Sequence, residues 1–291
     1  MTNVTAITAS MVKELRERTG AGMMECKAAL VEAKGDLSEA EIVIAKSGHK
    51  KAAKKAGRVA AEGMVAIQLT SNKDAVALAE VNSETDFVAR HPDFQAFVKL
   101  VAEIALEHKQ EDLSKLPALE EARQNLIAKL GENIVARRAV VYSVGKNIIG
   151  QYIHHGSKIG VIVEMTGGEE ALAKDLAMHI AASKPEFISM DQVPASEMAK
   201  MKDIFMAQAD NSGKPPAIQE KMVQGQINKH FAEICLLGQA FFKDPDKTIS
   251  VLLKEKQANI VRFTRFEVGE GIEVVKLNFH EEVMAQVQGS K

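Results

Sequence analysis

Val81-Asn82-Ser83-Glu84-Thr85-Asp86-Phe87-Val88-Ala89-Arg90 stands where a strand-like run ends and a helix-like run begins. Upstream, residues 64–70 and 75–82 are alternating or continuously apolar, and Ser71-Asn72-Lys73-Asp74 between them is a hairpin signal. Downstream of Pro92, Phe94, Phe97, Val98, Val101, Ile104 and Ala105 fall on one helical face. Thr85-Asp86-Phe87 therefore occupies the tip of a turn. Two readings of that tip are open. In one, Asp86 stops the strand or caps the next helix, and Phe87 folds back into the core. In the other, Phe87 points outward as a wedge for a partner's pocket, with Asp86 beside it to compete for polar contacts.

Further along, residues 116–130 carry Leu119, Ala122, Leu126 and Leu130 at helical spacing. Strands follow over residues 134–144, 148–154 and 159–165, then a helix over 169–183. A weak internal echo is visible. Hairpin, Thr85-Asp86-Phe87 and helix compare with hairpin, Thr166-Gly167-Gly168 and helix, which suggests two related α+β units side by side. Gly156-Ser157-Lys158-Ile159-Gly160 lacks the spacing of a phosphate-binding loop. His154-His155 lacks the spacing of a helical metal pair. On a strand the two rings take opposite faces, so His154 is expected inside and His155 presented to a partner.

The N-terminal fifth reads as three short helices, over residues 7–19, 23–33 and 37–47, separated by Gly20-Ala21-Gly22 and Lys34-Gly35-Asp36. The Gly turn, Ala28-Ala29-Leu30 and Gly35-Asp36-Leu37 resemble a ubiquitin-associated domain, a shape used for docking; a ubiquitin-like adaptor is the alternative function. Met23 and Met24 are consecutive and cannot both face one small core, so one is expected to meet solvent or a partner. Lys46, Lys50, Lys51, Lys54, Lys55 and Arg58, with no acidic residue among them, read as a solvated linker with partial helix.

Beyond Ser183-Lys184-Pro185, Met198, Met201, Phe205 and Gln208 keep helical spacing, residues 211–216 break that helix, and a second begins near Ala217. Two amphipathic helices joined this way form a hairpin arm that packs against a neighbour or a second copy. Residues 236–242 and 260–268 read as strands around a helix over 248–256, and a last amphipathic helix is expected over 279–287.

The totals narrow the function. The 291 residues carry 37 basic and 39 acidic side chains. That balance argues against a general nucleic-acid binder, which needs surplus cations. Cys26 and Cys235 make neither a disulfide framework nor a zinc site, in keeping with a reducing cytosol. No secretory signal or membrane-length run is apparent. No nucleophile–base–orienter set emerges, so an enzyme is not expected, nor a metal or cofactor.

Taken together the chain resembles bacterial elongation factor Ts, the guanine-nucleotide exchange factors for elongation factor Tu. The resemblance rests on Val12-Lys13-Glu14-Leu15-Arg16-Glu17-Arg18-Thr19-Gly20-Ala21-Gly22-Met23-Met24-Glu25-Cys26-Lys27 and on Thr85-Asp86-Phe87-Val88-Ala89. His155-Gly156, Met178-His179-Ile180-Ala181-Ala182-Ser183-Lys184-Pro185 and Arg265-Phe266-Glu267-Val268-Gly269-Glu270-Gly271 extend it nearly end to end. It implies an α+β architecture: a ubiquitin-associated-like N-terminal domain and basic linker over 1–55, core subdomains over 56–145 and over 146–184 with 236–269, a coiled-coil dimerisation arm over 185–235 and a C-terminal module over 270–291. It also implies that Thr85, Asp86, Phe87 and Val88 reach into Tu and dislodge its Mg²⁺. Arg16, Met23, Met24 and Lys27 then dock on the nucleotide domain of Tu, His155 touches another of its domains, and a homodimer or a heterotetramer with Tu is expected. Arg90-His91-Pro92 departs from the family pattern where the next helix starts, and Val274-Val275-Lys276-Leu277-Asn278-Phe279 departs from the more acidic tail.

Overall fold

The computed structural model describes residues 6–210 and 215–273. In it, α1 (Ala9–Thr19) starts where the Thr8 hydroxyl accepts from the Met11 N–H and stops at Gly20, whose φ of 68° is left-handed. α2 (Met23–Glu32) and α3 (Leu37–Lys55) follow, and Asp36 caps α3 by accepting from the Glu39 N–H. Leu15, Cys26, Leu30, Ala40 and Ile44 form the small core of the three helices.

β1 (Glu62–Leu69) and β2 (Ala75–Ser83) make the expected hairpin. The chain then forms the one-turn α4 (Asp86–Ala89), α5 (Pro92–His108), α6 (Pro117–Leu130) and β3 (Ile134–Ser143), which pairs antiparallel with β2. The departure at Arg90-His91-Pro92 starts α5 well: the His91 ring accepts from the Asp93 N–H and Pro92 takes a first-turn position, where its missing N–H costs nothing. β4 (Ile148–Ile153), β5 (Ile159–Thr166) and α7 (Glu170–Ser183) repeat the motif, and α8 (Ala195–Asp210) and α9 (Pro216–Ile234) fold back on one another. β6 (Ala240–Phe241), β7 (Asp244–Thr248), α10 (Ile249–Glu255) and β8 (Asn259–Glu267) complete the described chain. Its ten α-helices and small antiparallel sheets, among the described residues, are of mixed α+β character.

All nine residues of β2 are buried, so both of its faces must be covered. Ala79 and Val81 pack with Phe94, Val98 and Val101 of α5, while Val76 and Leu78 meet Ile162 and Phe266 of the second sheet. In that sheet Val161, Val163 and Met165 turn the other way, onto Leu172, Leu176 and Ile180 of α7. The layers run helix, sheet, sheet, helix. The sheets pack closely at Gly160, where a Cβ would lie 2.8 Å from Leu78 Cδ1.

The internal echo is a structural repeat. The strand orders are β1-β2-β3 and β4-β5-β8, each with the second hairpin strand in the middle. Both outer ladders slip immediately after a glutamate, between Glu80 and Val81 and between Glu164 and Met165.

Three expectations need correction. The basic run over 46–58 is helix as far as Lys55, because its apolar side is covered: Gly48 and Ala52 are buried, and a Cβ at Gly48 would lie 3.0 Å from the Ala128 Cβ of α6. Residues 236–242 are a 3-10 turn (Leu236–Gly238) and the two-residue β6 rather than a strand, since Leu236 and Phe241 are drawn into the α7 core. His154 lies past the end of β4 and is exposed like His155, so strand alternation does not govern the pair. Residues 211–214 of the break expected over 211–216, and the helix expected over 279–287, lie outside the described residues.

Candidate functional site

β2 runs straight into the tip. Thr85 is the N-cap of α4, its hydroxyl accepting from the Val88 N–H at 3.4 Å. Below the tip, both oxygens of the Glu132 carboxylate accept from Thr85, one from its hydroxyl at 2.7 Å and the other from its N–H at 3.0 Å. Val88 and Ala89 turn inward and join the core under α5. With those side chains inside, a single helical turn leaves Phe87 outside, 79% exposed. The ring does not fold back into its own core. Asp86 is half-buried and pairs with Arg90 at 2.6 Å. With Arg90 largely in solvent, this i,i+4 pair orders the two side chains more than it stabilises the fold.

The tip borders a cleft of about 680 Å³ whose far wall is Gly156, Ser157 and Lys158, in the turn after β4. That turn is pinned to the start of β1: the Val65 N–H donates to the Ser157 carbonyl at 2.9 Å, and Lys158 Nζ reaches Glu62 at 2.6 Å and the Gly63 carbonyl at 3.1 Å. Exposed His155 is thus carried on the same turn that faces Asp86 and Arg90 across the cleft.

Arg16, Met23, Met24 and Lys27 come together elsewhere, around a hollow of about 380 Å³ between α1 and α2. Ile7 and Val12 also line it, and Lys13 joins the cationic rim. Neither methionine enters the core: Met23 is 58% and Met24 77% exposed, while Cys26, Ala29 and Leu30 take the inward positions. An apolar floor with a basic rim suits an amphipathic, acid-edged protein surface.

The family model for Elongation factor TS matches residues 84–270, beginning at the residue before Thr85. The relative from Alkalilimnicola ehrlichii, an Elongation factor Ts, is 54% identical over 98% of this chain and 100% of its own length. Those from Hahella chejuensis and Legionella pneumophila, also Elongation factor Ts, are 52% and 50% identical over 98% of this chain, covering 99% and 100% of theirs. The chain belongs to the elongation factor Ts family. It is thereby a member of a family of translation elongation factors.

The residues that sequence reading missed are those that hold the tip. Glu132 binds Thr85 from 47 positions away, and Glu84 accepts from the Asn133 N–H at 2.6 Å. Nothing local marks either carboxylate; their only sequence signal is position, one at the strand end and one just after the Gly131 stop of α6. Among the described residues no group of three or more His, Cys, Asp or Glu side chains is placed to hold a metal ion, and no helix is long and apolar enough to cross a membrane. The geometry offers a projecting ring, a pinned turn beside it and a separate apolar hollow with a basic rim.

Proposed function

We propose that this chain is a guanine-nucleotide exchange factor that binds GDP-loaded elongation factor Tu, dislodges the Mg²⁺ in that partner's site, and so lets GDP leave and GTP enter. The observation that carries this is Phe87, exposed at the head of a one-turn helix whose neighbours Thr85 and Val88 are tied down. Magnesium demands near-ideal octahedral geometry, so a small shift of the partner's backbone under an inserted ring spoils its coordination. Burying one Phe contributes roughly 1.5–3 kcal/mol, on the scale of the roughly 1–3 kcal/mol that couples two sites.

Docking supplies the remainder. Arg16, Met23, Met24 and Lys27 seat the N-terminal helices on the nucleotide domain of Tu, and His155 makes a contact on another of its domains. Thr85 and Asp86 serve the wedge by orienting it, and Val88 by anchoring it in the core. Coupling is reciprocal, so a factor that weakens nucleotide binding is itself released by nucleotide. The chain then needs no nucleotide site, no cofactor and no chemical step of its own, and it works in the cytoplasm. The N-terminal helices act as the ubiquitin-associated-like docking domain, and the α8–α9 hairpin as the coiled-coil arm through which two copies, or two copies with two Tu, associate.

The test is release of fluorescent GDP from Tu, alone, with this chain and with its Phe87→Ala variant. The native chain should accelerate release, and the variant should do so far less while melting normally. Equal acceleration by both proteins would falsify the wedge.

A further inference from the structure

Glu132 is spent on one residue. Its two carboxylate oxygens accept from the Thr85 N–H and the Thr85 hydroxyl, at 3.0 and 2.7 Å. The geometry has a consequence for the cap. Because the hydroxyl proton goes to Glu132, a hydroxyl lone pair is left to face the Val88 N–H that opens α4. A four-residue helix does not hold itself, since one turn fixes several dihedrals for very few hydrogen bonds. The direction of Phe87 is therefore set by what grips Thr85 on one side and Val88 on the other.

The grip is reciprocal and extends to α3. As Glu132 binds the backbone of Thr85, Glu84 binds the backbone of Asn133, accepting from its N–H at 2.6 Å. Asn133 Nδ2 donates to the Arg58 carbonyl at 2.7 Å, Arg58 lies 3.5 Å from Glu84, and Lys55 Nζ donates to the Gly131 carbonyl. The last cations of the basic run thus fasten the loop that holds the tip.

We propose that Glu132 is a positioning residue for nucleotide exchange: it sets the Thr85 cap so that α4 presents Phe87 to the partner. This rests on the exchange reading above. It assigns a role in the maximal rate of exchange to a side chain with no expected contact to Tu.

The experiment measures fluorescent GDP release from Tu against concentration of the full chain. Loss of an N-cap-type interaction predicts that Glu132→Ala lowers the maximal rate by about fivefold, with little change in the half-saturating concentration. Glu132→Gln, which keeps an oxygen for the hydroxyl but not an acceptor for the N–H, should fall between. Glu132→Ala combined with Phe87→Ala should be no slower than Phe87→Ala alone, because the carboxylate acts through the ring. The chain has no tryptophan, so Phe87→Trp places a single indole at the tip, and adding Glu132→Ala should lower its fluorescence anisotropy in the free protein.

A native maximal rate in folded Glu132→Ala, or in Glu132→Gln should the alanine variant not fold, overturns the proposal. So does a double variant slowed by the product of the two single effects. Unchanged release in Phe87→Ala sinks the exchange reading together with this proposal, whereas slowed release there and normal release in Glu132→Ala sinks this proposal alone.

Discussion

The Arg138 guanidinium lies 4.1 Å above the ring of Phe266, a residue of the other sheet, while its Nε donates to the fully buried Glu80 at 2.5 Å. The same contact is made in the opposite sense. Arg262 lies 3.9 Å above the Tyr142 ring, and its Nε donates to Glu164 at 2.6 Å. Each glutamate stands directly opposite its arginine, just before the slip in its ladder. Each sheet therefore holds an arginine with its own glutamate and lays it on the aromatic ring of its neighbour. Tyr142 and Thr264 add a hydroxyl–hydroxyl bond of 2.6 Å between the sheets. Directional contacts of this kind fix how two apolar faces register, which buried area alone does not.

Glu80 makes that interface acid-sensitive. Burial works to raise its pKa, but the Gly269 N–H, Asn82 and Arg138 outweigh burial and hold it below the usual 4.5. A depressed carboxylate contributes stability that is complete above its unfolded pKa and lost as pH falls through the folded one. The native chain should keep this contribution down to about pH 4.5 and lose it below. Glu80→Gln should be less stable by about 3 kcal/mol near neutrality and should lack that portion of the acid loss. Urea midpoints at neutral and acid pH decide it; equal midpoints at neutral pH would show the carboxylate to be dispensable.

His179 predicts a second, milder window. The ring is buried against Phe241 and Phe242, Nε2 lies 2.9 Å from the Gln239 oxygen, and Nδ1 has no partner. Burial lowers its pKa from 6.5, opposed by the Gln239 bond. The neutral ring is thus the stable one, and stability present above about pH 6.5 should decline as pH falls below it. The melting temperature should drop by a few degrees over that interval, and His179→Gln should flatten the drop. A native-like slope in the variant assigns the effect to another group.

Gly150 tests the packing of α7 on the second sheet. A Cβ there would run into the Ala173 carbonyl oxygen, which is backbone and cannot swing aside. Gly150→Ala should cost about 1–3 kcal/mol. Gly225 in α9 has nothing within 4 Å of such a Cβ, so Gly225→Ala should stabilise by up to about 1 kcal/mol. Matching denaturation midpoints for the two variants would contradict this account.

The residues proposed to dock should separate binding from folding. Met23, Met24 and His155 are exposed, so Met23→Ser with Met24→Ser, and His155→Ala alone, should leave the melting temperature within a degree or two. Affinity for Tu should fall at least about fivefold in each case, as for side chains central to an interface. Calorimetric titration measures this. A large loss of melting temperature with native affinity would make these residues structural.

The hairpin, α5 and the three N-terminal helices were legible in the sequence because each is written in local periodicity and in local stops such as Gly20 and Asp36. The basic run misled because charge is conspicuous in a sequence, while the small residues Gly48 and Ala52 that dock α3 on α6 are not. For the same reason Met23 and Met24 showed that one of them had to leave the core, but not that both do.

What the chain determined by itself is where the tip lies: an apolar strand, a polar turn and an amphipathic helix leave Thr85-Asp86-Phe87 nowhere else. Which way Phe87 points was decided only in three dimensions. Val88 took the available place under α5, and Glu132, far along the chain, gripped Thr85. Side-chain direction in a one-turn helix depends on long-range contacts that periodicity does not encode. The pairing of Arg138 with Phe266 belongs to the same class, since a repeat can place two arginines and two rings on matching strands, but only the packing of the sheets brings them together.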